Sequence, residues 1–115
     1  MQGSISLLVL NVTAGGALAT ARGVTAAGAY PLANAGIRGV TRTAALASGD
    51  LVPIDVIGTT IVESGGAVTK DAAQMIDATG RVLDKTSTNT VVGYALTAAA
   101  GAGTMVEMIL AGPTA

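Results

Sequence analysis

A chain of 115 residues with a formal net charge of −1, no cysteine and no histidine rules out much before any motif is sought. It cannot form a disulfide, a thiolate nucleophile or a cysteine zinc site, it lacks the commonest general base and metal ligand, and six basic against seven acidic residues leave no electrostatic footprint for nucleic acid or an anionic membrane. Half of the residues are hydrophobic but only 2% are aromatic, so a single domain spanning residues 1–115 would have a thin core of Ala, Val, Leu and Ile and would gain from contact with partners.

Short β-branched runs alternate with Gly and small polar residues at intervals of roughly ten residues, the spacing of an all-β protein. The expected architecture is a small compact β-barrel or sandwich with an extended N-terminal segment. Ile5 to Val12 predicts the first strand, with residues 1–12 acting as a terminal strand or arm. This run, followed by Ala17-Leu18-Ala19, superficially resembles a secretory leader, but Met1 to Ser4 holds no basic residue and Asn11 interrupts it. It also falls short of the ~18 apolar residues of a membrane span, so a soluble, unexported chain is expected. Val24 to Leu32 predicts a weak edge strand, because it contains Gly28 and Pro31. Ile37 to Arg42 predicts a short strand. Asp50 to Ile57 predicts another, assigned to an edge by Pro53, and Thr59 to Glu63 resumes after Gly58. Gly65-Gly66 reads as a turn with access to positive φ.

Lys70 to Met75 has some helical character, yet Ala73 to Ile76 suits a strand better. Asp77-Ala78-Thr79-Gly80 then predicts a hairpin turn onto Arg81-Val82-Leu83, with Gly80 left-handed. A polar loop over Lys85 to Asn89 leads to strands at Thr90 to Leu96 and Thr104 to Leu110, joined by Thr97 to Gly103. Residues 112–115 read as a frayed tail.

The stretch from Gly39 to Val52 returns at Gly93 to Val106. At an offset of 54, Gly39, Thr43, Ala44, Ala45, Gly49 and Val52 meet identical residues, and Leu51 and Ile54 meet Met105 and Met108. Val24-Thr25 and Val68-Thr69 give a fainter echo. This predicts two duplicated β half-units closing around a shared core.

Several of these segments carry a family likeness: Gly49-Asp50-Leu51-Val52, Gly65-Gly66-Ala67-Val68-Thr69, Asp77-Ala78-Thr79-Gly80-Arg81-Val82, Val92-Gly93-Tyr94-Ala95-Leu96 and the closing Met105 to Leu110. Over Gly36 to Ala111 the chain resembles the tailed-bacteriophage capsid cement, or head-decoration, family. It departs at Ala72, where compared members often have Gly. The resemblance implies a β-rich structural protein on the outer surface of the virion, attached to the major capsid protein between capsid subunits. It further implies a homo-oligomer, a trimer in preference to a dimer, with no catalytic residue, cofactor or metal. A smaller competing reading is a virion-displayed module for carbohydrate or cell surfaces, disfavoured by the scarcity of aromatic faces.

On residue chemistry alone, the candidate partner-binding segment is Ser4, Ile5, Ser6, Leu7, Leu8, Val9 and Leu10, a strand able to join a neighbour's sheet. Arg22, Arg38 and Arg42 add a loose basic patch for acidic capsid residues. An enzyme reading finds little support. Ser64 and Lys70 lack the context of a nucleophile elbow, Gly101-Ala102-Gly103 lacks the helix of a phosphate cradle, and the Asp71 to Asp77 spacing supplies too few oxygens for calcium.

Overall fold

The computed structural model describes residues 4–33, 35–86 and 89–112, and among them it contains eight β-strands and no helix. The strands are β1 (Ser6–Thr13), β2 (Gly23–Val24), β3 (Gly39–Thr41), β4 (Leu51–Glu63), β5 (Ala73–Ile76), β6 (Val82–Asp84), β7 (Gly93–Ala95) and β8 (Met105–Leu110). All strand pairs are antiparallel, in the order β2-β3-β4-β8-β7-β5-β6 with β1 also on β4, and the sheet curls into a nearly closed barrel.

The duplication predicted from Gly39 and Gly93 is present in the hydrogen-bond ladder itself. Val40↔Asp55 and Thr41↔Ile54 of the first half recur at Tyr94↔Ile109 and Ala95↔Met108, 54 residues later. Gly23↔Val40 recurs as Ala73↔Tyr94, and Val12↔Val52 recurs as Val62↔Val106. The isolated bridge Leu18↔Ala45 recurs as Val68↔Ala99. Even the strained backbone repeats: Ala21 at φ 60 and Asp71 at φ 68 occupy equivalent positions, and each donates its N–H across the sheet, to Thr41 O and Ala95 O. β4 is therefore shared, its first half closing repeat one and its second half opening repeat two. Upstream of β3 the offset is 50 rather than 54, and the four extra residues of the second repeat make room for β6.

Four expectations need correction. β4 is not an edge strand. It runs through Gly58 without a break and lies between β1 and β3, because Pro53 sits one residue beyond the end of β3 and contributes only its carbonyl, which accepts from Arg42 N–H at 2.9 Å. The strand expected over Val24 to Leu32 ends at Val24, since the chain turns back at once, Thr25 N–H donating to Ala29 O with Gly28 at φ 73. Gly65 and Gly66 have no positive φ; a Cβ on Gly65 would instead collide with the Asp77 carboxylate. Finally, the buried side chains form two clusters, one per repeat. Val12, Leu18, Val24, Val52, Ile54 and Val56 make the first, while Val62, Val68, Val82, Val106, Met108 and Leu110 belong to the second, which also receives Ile37 and Val40. Small side chains let each half of the sheet wrap its own narrow core.

The hairpin from β5 to β6 matches its prediction, with Gly80 at φ 78. Within its turn Asp77 Oδ1 accepts from Thr79 N–H, Thr79 Oγ1 and Arg81 N–H at 2.8–2.9 Å. At the far end of β6, Asp84 accepts from Thr69 N–H at 2.8 Å, Thr69 Oγ1 at 2.6 Å and the buried Gln74 Nε2 at 2.9 Å. For both carboxyls burial pushes the pKa up, but the hydrogen bonds outweigh it and hold the pKa below the ordinary value of 3.8. A depressed folded-state pKa means stability that is complete above the unfolded value and is lost as pH falls through the folded one. The melting temperature is therefore expected to fall below about pH 4, and Asp84→Asn should flatten that decline; a melting temperature independent of pH between 5 and 2 refutes the assignment. The expected frayed tail lies mostly outside the described residues, as do two residues of the Lys85 to Asn89 loop and the first three of the chain.

Candidate interaction surface

The sequence-predicted segment at the N-terminus is not a detached arm. From Leu8 to Thr13 it pairs residue by residue with β4, broken by bulges at Ser6/Leu8 and Leu8/Val9. Ser6 Oγ donates to Asp55 Oδ1 at 2.6 Å, Thr60 Oγ1 donates to Asp55 Oδ2 at 2.8 Å, and Arg42 Nη1 donates to Ser6 Oγ at 2.9 Å, so the start of β1 is fastened to the buried Asp55.

What β1 leaves outside is unusual for an edge strand. Ile5 is 67% exposed and Leu7 73%, and Leu8, Val9 and Leu10 are exposed as well. β1 carries no charge and no proline, the devices that ordinarily protect an edge from sticking to other chains. Ile5 and Leu7 meet Ile57, Thr59, Ile109 and Leu110 around Gly58, forming a shallow apolar depression. Gly58 has φ 112, and a Cβ there would run into Ile5 O, so glycine is required where β1 crosses β4. Tyr94, opposite Ile109 on β7, is half-exposed and extends this uncharged surface. The sequence reading missed Ile57, Tyr94 and Ile109, since each stands on a different strand and only the register brings them beside β1.

The arginines do not make one patch. Arg22 Nη2 meets Glu63 Oε2 at 3.1 Å and Arg22 Nη1 donates to Thr79 O at 3.0 Å, tying the two repeats together, with Arg81 on the same carboxylate at 3.5 Å. Arg42 belongs to the Asp55 cluster at 3.4 Å. Arg38 lines a separate groove beside the other end of β1, with Leu10 to Gly15 and Ala26-Ala27. Arg22 and Arg42 are thus engaged in holding the fold.

Among the described residues no group of three acidic side chains is placed to hold a metal ion. The surface offers adhesion, through apolar contact and an open strand. Residues 4–110 match the family described as phage cement protein. The chain belongs to that family. It is a capsid-associated structural decoration protein. The fold of this cement protein is also similar to that in the crystal structure of the head fiber gp8.5 N base of bacteriophage phi29, with a TM-score of 0.72 at 17% identity over 94% of this chain and 97% of that one. No curated protein sequence matches the cement protein.

Proposed function

We propose that this cement protein attaches to the major capsid protein on the outer surface of the phage head, between capsid subunits, as a homo-oligomer, a trimer in preference to a dimer, and that it acts by adhesion without catalysis. The observation that carries the reading is the uncharged apolar surface of Ile5, Leu7, Ile57, Tyr94 and Ile109, assembled from four strands around Gly58. Contiguous exposed apolar surface of this kind marks a protein–protein interface. The family membership and the likeness to a head-fiber base support the head as its partner.

The physics suits the composition. A cement that bridges subunits adds binding free energy that must be removed before they separate, and copies repeated over a lattice need only modest affinity each. Co-sedimentation with expanded, DNA-filled heads tests the proposal. The wild-type chain should pellet with heads, and Leu7→Asp should pellet at least tenfold less while keeping its melting temperature, because Leu7 projects into solvent. Failure of the wild-type chain to bind heads, or undiminished binding by Leu7→Asp, overturns it.

A further inference from the structure

The two repeats differ in one respect that bears on assembly. In an antiparallel ladder alternate residues present both N–H and C=O to opposite sides. Ala14 N–H donates to Asp50 O, so Val12 and Leu10 face β4, and Val9, Asn11 and Thr13 turn their backbone groups outward. In repeat two the equivalent residues are Thr59, Ile61 and Glu63, and there two of the three outward N–H groups meet an acceptor: Thr59 N–H donates to Ile5 O at 2.9 Å and Glu63 N–H to Ala21 O at 2.9 Å. Both acceptors come from repeat one. Among the described residues no carbonyl meets the N–H of Thr13, which stands where Glu63 stands.

The matching acceptor is also unused. Ala21 offers its carbonyl to Glu63 from a left-handed backbone, φ 60, with its own N–H held by Thr41 O. Asp71 has the same left-handed backbone, φ 68, and the same tether, N–H to Ala95 O at 2.7 Å. It is exposed, and among the described residues nothing donates to its carbonyl. The chain therefore makes this contact once, between its repeats, and carries an unmated donor and an unmated acceptor for making it again.

We propose that a second copy of this chain supplies the missing half, with Thr13 at the end of β1 in one copy donating its N–H to the carbonyl of Asp71 in the next. Charge agrees, since the groove beside Thr13 is lined by Arg38 and the incoming segment carries Asp71. Donor and acceptor are different surfaces, so the contact is head-to-tail, and it closes into a ring where the rotation between copies divides a full turn. Thr13 lies eight residues from Ile5 along β1, roughly 25 Å at strand rise, leaving the apolar surface around Gly58 open for the capsid. The inference deepens the homo-oligomer part of the proposed function and rests on it.

Cysteine cross-linking of the purified chain tests the contact without heads, because the native sequence contains no cysteine. A single backbone N–H···O bond keeps the two Cα atoms within about 6.7 Å of each other, inside disulfide reach. Thr13→Cys and Asp71→Cys, each alone under mild oxidation, should stay largely uncross-linked. Their mixture should give a covalent dimer containing one chain of each, and the double variant should give a ladder ending at the native oligomer. As a second measurement, Thr13→Pro removes the outward N–H and should lower the mass found by light scattering to that of a monomer, with little change in melting temperature. Self-linking of Thr13→Cys to the same extent as the mixture would mean that β1 edges pair with each other, and this overturns the proposal. So does the absence of a mixed dimer, or a Thr13→Pro variant that keeps the wild-type mass. A chain that fails these tests yet still pellets with heads loses this contact alone, whereas failure on heads with intact cross-linking strikes only the capsid reading.

Discussion

Val106→Asp should leave no folded protein at neutral pH. Val106 is fully buried near the start of β8, opposite Val62 of β4, in the cluster that fills repeat two. No cation lies in that cluster, so an aspartate there must either stay ionised without a partner or bind a proton. Full burial raises a carboxyl pKa by about 3–5 units, from ~3.9 to near or above neutrality, so at neutral pH the ionisation penalty reaches about 4 kcal/mol, and burying the protonated carboxyl without a partner adds about 1–3 kcal/mol. The stability of a domain of this size lies at about 5–15 kcal/mol, and a core of small side chains belongs at the lower end. The sign also sets a pH dependence opposite to that of Asp77 and Asp84. A raised folded-state pKa costs stability above the unfolded value and costs progressively less as pH falls, so Val106→Asp should regain some folded signal at pH 5 relative to pH 7.5, and Val106→Asn should not. Ile109→Asp, three residues along but pointing to solvent, is the control and should melt like the wild type. Circular dichroism of the purified variants decides; a Val106→Asp protein with the wild-type melting temperature would show that β8 does not face a core.

The contrast between Val106 and Ile109 marks what the sequence could and could not reveal. Alternation in Met105 to Leu110 is legible, and so is the turn Asp77-Ala78-Thr79-Gly80, because a glycine after a short polar run has a specific local use. The duplication was visible through Gly39 and Gly93 and through Val52 and Val106, where identical residues recur at one spacing. The shared strand was not. Pro53 and Gly58 are ordinary signs of an edge and a break, and only the tertiary placement of Pro53 just past the end of β3 makes them compatible with a central strand. The apolar run of β1 was noticed as sticky, but Ser-Leu-Leu-Val-Leu has no alternation to say which side chains remain outside, and the partners Ile57 and Ile109 are brought to it by register. Least legible were the left-handed residues at Ala21 and Asp71, since alanine rarely adopts such a backbone and Asp71, although of a type that does, stands in a segment with no glycine to mark a turn. They become meaningful only when the repeats are superposed.

The glycines at equivalent positions of the two repeats give the second large effect. Gly39 and Gly93 start β3 and β7, and neither has a positive φ, so backbone freedom is not their purpose. Close approach is. A Cβ on Gly39 would lie 2.5 Å from Asp55 O and 3.0 Å from Ile54 Cδ1. A Cβ on Gly93 would collide with Ile109 O and lie 2.7 Å from Met108 Cγ and Sδ. Asp55 and Ile109 are themselves repeat equivalents, so one steric requirement has been kept twice. Gly93→Ala should cost about 1–3 kcal/mol through forced backbone displacement, at the upper end because the obstruction is a carbonyl rather than a movable side-chain tip. At roughly 4–8 °C per kcal/mol, that lowers the melting temperature by about 10–20 °C. Gly39→Ala should behave alike, whereas Gly101→Ala, with nothing within 4 Å of the added atom, should be close to neutral. The pair also reports on cooperativity. β4 supplies a strand to both repeats, so weakening either core should shift one common transition, and the double variant should lose the sum of the two effects. Calorimetry that instead resolves two transitions, one moved by Gly39→Ala and the other by Gly93→Ala, would show that the shared strand fails to bind the repeats into a single folding unit.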